Sequence, residues 1–283
     1  MAAPQLSVVV VSHDSDAVLP RCMAALHAQR GLRLEIVVVD NGSRRPPTPS
    51  LGADQVLCNP DNPGFAVACN QGAARARAPW LLFLNPDCFP EPDALSRLLD
   101  IAALAPVPGV LGAQLLDPDG APQAASLRLD PTPARLWKAL WRGRGEFERT
   151  PAPSAQGWQV AEAVSGALML MPRQVFDSVG GFDEGYRLHF EDLDLCRRLR
   201  AAGHSVGFTG EVRVPHLKGS SSRGRPFWVA WQKHRGLRRY FERFDAARLR
   251  WAPRAAFRLL LALALLPMLA SALRTRLSRP PAP

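Results

Sequence analysis

A few acidic and imidazole side chains stand where this chain could use them for chemistry. Asp40 closes the apolar run Leu34 to Asp40 (L-E-I-V-V-V-D) and opens D-N-G-S, a turn in which Asn41 and Gly42 tolerate positive φ. An Asp there either forms an Asx turn or presents a carboxylate to a nucleoside at a strand end. Asp87 ends Asn85-Pro86-Asp87, directly after the apolar Trp80 to Leu84. It serves as a turn former, or as an oxygen ligand for a hard divalent cation shared with phosphate. Glu191, Asp192 and Asp194 open a helix in which Arg197 and Arg198 follow. That order complements the helix dipole; equally, a carboxylate at a helix start can be a general base that removes a proton from an attacking hydroxyl. Just upstream, Gly180-Gly181-Phe182-Asp183-Glu184 reads as a flexible turn able to close over a ligand. His216 follows the strand Glu211 to Val214 and precedes Lys218 to Gly224, which reads as mobile. Alone, it is either structural or a metal ligand.

These side chains need a scaffold that brings them together. Leu6 to Ser12 (L-S-V-V-V-V-S) and Leu34 to Asp40 are β-branched runs without alternation, the pattern of parallel strands buried on both faces. Between them, Ala17 to Ala28 sets Val18, Cys22, Ala25 and Leu26 at helical spacing. A second unit follows, with a strand near Gln55 to Cys58, a helix from about Gly64 to Arg77 and a strand Trp80 to Leu84. The first 90 residues therefore read as an α/β half-domain of nucleotide-binding type, whose ligands sit beyond the carboxyl ends of the strands. Those ends are Ser12 to Asp14, Asp40 to Ser43 and Asn85 to Asp87. Farther on, Asp93 to Ala105 reads as a helix, Val110 to Leu116 as a strand, and the Pro-, Gly- and Arg-rich Asp117 to Gly157 as loops. Val164 to Met171 reads as one buried strand, Phe190 to Ala202 as a helix, and Ser205 to Val214 as one or two short strands.

The 283 residues suit one large domain with an appendage, and 47% hydrophobic with 21% charged residues excludes a disordered or fibrous chain. The net charge of +10 is concentrated near the end: Arg223 to Arg279 holds 14 basic residues and two acidic ones. Such a segment suits a polyanion, either nucleic acid or an anionic membrane surface. Phe227 to Phe244 is helical, basic and aromatic in pattern, and the uncharged Leu259 to Leu273 beyond it has 15 residues. That is short of the roughly 17 to 25 a spanning helix needs. With Arg258, Arg274 and Arg276 flanking it, the stretch reads as an interfacial helix with snorkelling arginines. Packing on the domain's own core or on a second copy is the alternative, and a true span a third. We therefore divide the chain into 1–225 and a helical extension, 226–283. Five widely spaced cysteines with no C-x-x-C pair argue for a reducing compartment, and the start Met-Ala-Ala-Pro-Gln has no basic region of the signal-peptide kind. A cytoplasmic protein is expected.

Taken together, these stretches resemble the inverting nucleotide-sugar glycosyltransferases of family 2, with the GT-A fold, and particularly the rhamnosyltransferase-like branch. The matching runs are V-V-V-V-S-H-D-S, V-V-V-D-N-G-S, N-P-G-F-A-V-A-C-N-Q-G, L-L-F-L-N-P-D, V-S-G-A-L-M-L-M, G-G-F-D-E and H-F-E-D-L-D-L-C-R-R-L-R-A-A-G-H, in the family's order across residues 5 to about 220. The resemblance implies that Asp40 binds the nucleoside, with Ser12, Asp14, Asn41 and Asn85 around the donor and Gly64, Phe65 and Asn70 shaping its pocket. It makes Asp192 the base, with Glu191 beside it, and gives Asp87 and His216 to a divalent metal, Mg²⁺ or Mn²⁺. Two departures stand out. Asn85 replaces the first Asp of a D-x-D-like element, leaving one acidic ligand, and Ser12-His13-Asp14 stands where relatives usually read S-Y-N, which alters the nucleobase pocket.

The resemblance further implies a nucleotide-sugar donor, dTDP-L-rhamnose as the best single choice with UDP-sugars as the alternative. The acceptor is a saccharide or lipid-linked saccharide in bacterial surface-polysaccharide synthesis. An anionic membrane surface at the inner face of the cell membrane, rather than nucleic acid, is then the expected partner of the basic tail. Two other classes compete. A non-catalytic adaptor would keep the nucleotide-binding fold and use the tail alone, with no need for Asp87, Asp192 and His216 together. A sugar nucleotidyltransferase needs a Gly-rich, basic phosphate loop after the first strand, which His13 to Val18 lacks.

Overall fold

The β-branched runs at the start of the chain are buried almost end to end, which is why neither shows a polar face. In the computed structural model, which describes residues 3–48, 51–142, 148–149, 156–217 and 226–277, β1 (Leu6–Ser12) leads through α1 (Leu19–His27) to β2 (Leu34–Asn41). Then β3 (Gln55–Asn59) leads through α2 (Phe65–Arg75) to β4 (Trp80–Leu84). There follow α3 (Ala94–Ala103), β5 (Gly109–Leu116), β6 (Leu127–Arg128), α4 (Pro133–Arg142), β7 (Glu148–Arg149), β8 (Gln159–Val160) and β9 (Ala163–Val164). The chain continues with β10 (Leu168–Pro172), α5 (Arg173–Ser178), α6 (Glu191–Ala201), β11 (Ser205–Pro215), α7 (Pro226–Phe244) and α8 (Trp251–Leu277).

The main sheet has the order β3-β2-β1-β4-β10-β5-β11-β8, and β7-β6-β9 form a small second sheet. β1 runs parallel to both β2 and β4, with Ser12 opposite Asp40 and Val10 opposite Leu84, so the three strands end nearly level. β10 enters antiparallel between β4 and β5. Apolar layers cover both faces. Val9, Val37, Leu81 and Phe83 pack with α2 and α6, while Val8, Val10, Val38 and Leu82 pack with α1 and α3. Gly72 lets α2 lie close on β1, since a Cβ there would come 2.3 Å from Val9 Cγ1.

The structure differs from the sequence reading in three places, while Ser205 to Val214 is one strand, as that reading allowed, with a register shift against β5 between Thr209 and Arg213. Val164 to Met171 is not one strand: the chain breaks at Ser165–Ala167, so β9 joins the small sheet and β10 the large one. The Asp117 to Gly157 region, read as loops, contains α4, β6 and β7 among its described residues. The Gly180-Gly181 turn is pinned rather than loose. Gly181 N donates to Phe176 O, and Arg198 donates to both Val179 O and Gly181 O. Lys218 to Gly224 lies outside the described residues.

The basic tail is built into the rest of the molecule through α7. Tyr240 is fully buried in the main core, Arg197 holds Asp245 with both guanidinium ends, and Arg239 and Arg243 converge on Asp183. Gly236 allows α7 to approach Phe190, whose ring a Cβ would meet at 2.7 Å. α8 packs back on α7 through Leu237, Phe241, Phe257 and Leu261. No helix among the described residues is long and apolar enough to cross a membrane.

Candidate active site

The level ends of β1, β2 and β4 make one polar edge. Asp40 is buried there: its Oδ2 accepts from Ser43 N at 3.0 Å, which is the Asx turn, while its Oδ1 has no hydrogen-bond partner among the described residues. A buried carboxylate oxygen left without a donor is costly, and an N–H or O–H of a ligand would satisfy it. Ser12 is buried directly across from it. Asp14 turns aside, accepting from Arg44 N at 2.9 Å and pairing with Arg44 Nε at 3.1 Å; the backbone amide of Arg44 is the main reason its carboxyl is held below the usual range.

Asn41 is consumed by the protein itself. Its Nδ2 donates to Asn62 Oδ1 at 2.8 Å and Gly64 O at 3.2 Å, and its Oδ1 accepts from Asn59 at 3.1 Å. Gly64 has φ 116°, and a Cβ there would lie 3.0 Å from the Arg187 backbone, so only glycine fits this entrance to α2. Phe65 N donates to Arg187 O, and the Phe65 ring meets Phe182 edge-on. Asn70 clasps the Gly180–Glu184 turn: it accepts from Phe182 N at 2.9 Å and donates to Phe182 O at 2.9 Å. These groups join the loop before α2 to the Gly180–Glu184 turn.

Next to this edge, Asp87 and His216 are both buried, with Asp87 Oδ1 3.3 Å from His216 Nε2. Backbone bonds hold them together, Leu217 N donating to Asp87 O at 3.0 Å and Cys88 bridging to His216. Among the described residues, Asp87, Cys88 and His216 form a group compact enough for a metal ion. Cys88 is a poor ligand, because burial and the neighbouring Asp87 hold its thiol well above the usual range and its Sγ points to Ala167 O at 3.5 Å. A carboxylate and an imidazole remain, a donor set that fits Mg²⁺ or Mn²⁺ completed by phosphate oxygens. Asn85 contributes backbone: its N donates to Ala167 O at 2.9 Å. Gln123, on which the sequence carries no signal, touches His216 Nδ1 through its Oε1 at 2.9 Å.

On the other side of Ser165–Ala167, Asp192 is buried at the start of α6. Its Oδ2 accepts from Gly166 N at 3.1 Å and Arg128 Nη1 at 2.8 Å, and its Oδ1 from Leu193 N at 2.8 Å. Arg128 is the second residue that sequence reading passed over; it comes from β6, within a stretch read as loop. His189 and Phe190, just before α6, both have positive φ (67° and 75°), rare for residues with a Cβ. Glu191 is buried next to Asp192 with Oε2 unpartnered among the described residues. Burial first, and then the Asp192 charge, push its carboxyl up to about 8, so the adjacent acids are unlike: Asp192 pairs with Arg128, while the uncharged form of Glu191 is favoured.

Comparison with known proteins agrees with this architecture. Residues 7–153 match the family model described as glycosyl transferase family 2. The chain is 30% identical over 246 residues to the N-acetylglucosaminyl-diphospho-decaprenol L-rhamnosyltransferase of Mycobacterium tuberculosis, covering 77% of each chain. It is 30% identical over 245 residues to the O-antigen biosynthesis protein RfbC of Myxococcus xanthus, covering 82% of this chain and 19% of that one. Among solved structures, GalNAc-T7 with UDP, GalNAc and Mn²⁺ superposes with a TM-score of 0.55 at 17% identity, over 84% of this chain and about half (54%) of the other.

The Glu191 carboxyl has a consequence for stability. Raised from 4.5 to about 8 on folding, it stabilises the native state fully at low pH, and that contribution is lost as pH rises through this window. Glu191→Gln keeps the neutral shape, so denaturant titrations should show its stability gaining on the parent between pH 5 and 8, by on the order of 1 kcal/mol or more. A constant difference across that range would mean that Glu191 is ionised when folded.

Proposed function

Because the chain belongs to glycosyl transferase family 2 and has the GT-A fold, we propose that it is an inverting, metal-dependent transferase. Its donor in this reading is dTDP-L-rhamnose, and its acceptor a saccharide or lipid-linked saccharide in bacterial cell-surface polysaccharide assembly. The observation that carries the reading is one sheet edge with a buried Asp87–His216 pair and, joined to it through Ser165–Ala167, an Arg128-bound carboxylate at a helix start. The rhamnosyl donor and lipid-linked acceptor rest on the mycobacterial relative.

In this mechanism Asp40 accepts a hydrogen bond from the nucleoside through its unpartnered Oδ1, and Asp87 and His216 would hold a divalent cation. Bound there, it would supply positive charge to offset that building on the departing nucleoside diphosphate. Asp192 takes the proton of the acceptor hydroxyl as its oxygen attacks the anomeric carbon. The bond from that carbon to the diphosphate oxygen breaks on the opposite face, so configuration inverts in one displacement. Glu191, protonated, adds no second negative charge next to the base. Arg128 and the Gly166 and Leu193 amides keep Asp192 oriented.

The tail supplies a surface for the acceptor's membrane. On α8, Leu259, Leu263, Leu266 and Leu273 are exposed along one stripe, with Trp251 at its start, and Trp137 and Trp231 are exposed on α4 and α7. Exposed tryptophans and leucines beside arginines fit an interfacial helix at the inner face of the membrane.

Three measurements test this reading. Thermal-shift assays with Mn²⁺ should show stabilisation by dTDP or dTDP-L-rhamnose, by mass action, and the shift should vanish in Asp87→Ala; stabilisation by UDP-sugars alone would reassign the donor, and none with any nucleotide would remove the transferase reading. Asp192→Asn should lower turnover by about 10²–10⁴-fold while donor affinity changes little; retained turnover would take Asp192 out of the base role. The protein should float with vesicles containing anionic lipid, and Leu259→Asp with Leu263→Asp should abolish flotation. Equal flotation of that variant would free α8 from a membrane role.

A further inference from the structure

His216 offers two ring nitrogens, and only the one without a proton can bind a cation. Which one that is depends on what the other nitrogen touches. Nδ1 lies 2.9 Å from Oε1 of Gln123, a side chain almost entirely buried. The orientation of the Gln123 amide is fixed by its other end. Its Nε2 is within hydrogen-bond reach of three acceptors, His216 O at 2.8 Å, Asp117 Oδ1 at 2.9 Å and Leu116 O at 3.1 Å. An amide oxygen in that place would face three oxygens, so the nitrogen belongs there and Oε1 must face the ring. An oxygen with only lone pairs can be approached at 2.9 Å only by an N–H, which places a proton on Nδ1. The backbone around Gln123 is held too, with Gln123 N donating to Leu115 O at 2.8 Å and Asp117 N to Ala121 O at 2.8 Å across the turn between them.

We propose that Gln123 is a positioning residue for the cation site: by accepting from Nδ1–H it locks the His216 ring with Nε2 facing Asp87, the nitrogen that would bind the cation. At 3.3 Å, Nε2 and Asp87 Oδ1 are close enough to share a proton, which a bound cation would replace. Neutral histidine in water favours the opposite tautomer, with the proton on Nε2. Gln123 therefore reverses the ordinary preference, and it does so from a segment, Asp117 to Gln123, that is remote from both ligands in sequence. This inference rests on the reading of Asp87 and His216 as the metal pair, and it adds the residue that makes His216 competent for it.

The test uses the full chain with ring-¹⁵N-labelled histidine. In the metal-free wild-type protein, long-range ¹H–¹⁵N spectra should show a proton retained on His216 Nδ1, whether or not Nε2 also carries one toward Asp87; a ring protonated on Nε2 alone would overturn the proposal without any variant. Gln123→Met, close in length and volume, should lose that signature and weaken Mn²⁺ binding in the presence of dTDP by about 10–100-fold, as read from free Mn²⁺ by electron paramagnetic resonance. A folded Gln123→Met protein with wild-type Mn²⁺ affinity would remove Gln123 from this role and leave the metal pair standing. Wild-type protein that takes up no Mn²⁺ with dTDP or UDP would overturn the metal-pair reading and the proposal with it.

Discussion

Three residues, Ser165 to Ala167, tie the two halves of the candidate site to each other. Ala167 O accepts from Asn85 N and from the Cys88 thiol, which fixes the loop carrying Asp87, while Gly166 N donates to Asp192. The segment can do this because it is not paired as strand: its backbone groups are turned toward the loop after β4 and the start of α6. Gly166 also has no side chain to crowd Asp192, a Cβ there standing 3.3 Å from that of Asp192. The Asp87–His216 pair on one side and Asp192 on the other are thus positioned by the same few peptide groups. Displacement of one is felt by the other.

Burying so many acids in one region needs compensation. Asp192 has Arg128 and two backbone amides, Asp194 has Arg198 and Arg243, and Asp183 has Arg239 and Arg243. Glu191 has one carboxylate oxygen without a partner among the described residues, and burial pushes it toward its uncharged form instead. Part of this basic charge comes from α7, in the segment whose excess of arginine first suggested a polyanion partner. Arg239 and Arg243 therefore serve acids of the segment before α6 and of α6 itself, and the boundary between 225 and 226 divides the sequence more sharply than it divides the packing. The apolar stripe of α8 is the part of the tail with no such internal task.

The strands β1, β2 and β4 were legible because strands buried on both faces must be apolar throughout, and the residues that end or follow them are polar although buried, since they lie past the apolar layers. Asp40 and Asp87 could be picked out on that ground alone. Asp192 could be picked out as an acid at a helix start, though dipole stabilisation accounted for it equally well. The reading failed where one apolar run served two sheets. Val164 to Met171 is buried on either side of a break, and the apolar run outweighed the one local mark of the junction, the turn-forming Ser165-Gly166. Arg128 and Gln123 were invisible for a related reason: each lies in a Pro- and Gly-rich stretch without periodicity, and each acts on a residue some 60 to 90 positions away.

Local pattern, then, determined the sheet, its polar edge and the identity of the acids on it, because hydrophobic periodicity and strand-end chemistry are properties of neighbouring residues. Tertiary structure alone decided the state of those acids. Glu191 and Asp192 are adjacent in the chain and similar in chemistry, yet Asp192 pairs with Arg128 while Glu191 is pushed toward its uncharged form, since charge in a buried site depends on which groups other segments bring within a few ångströms.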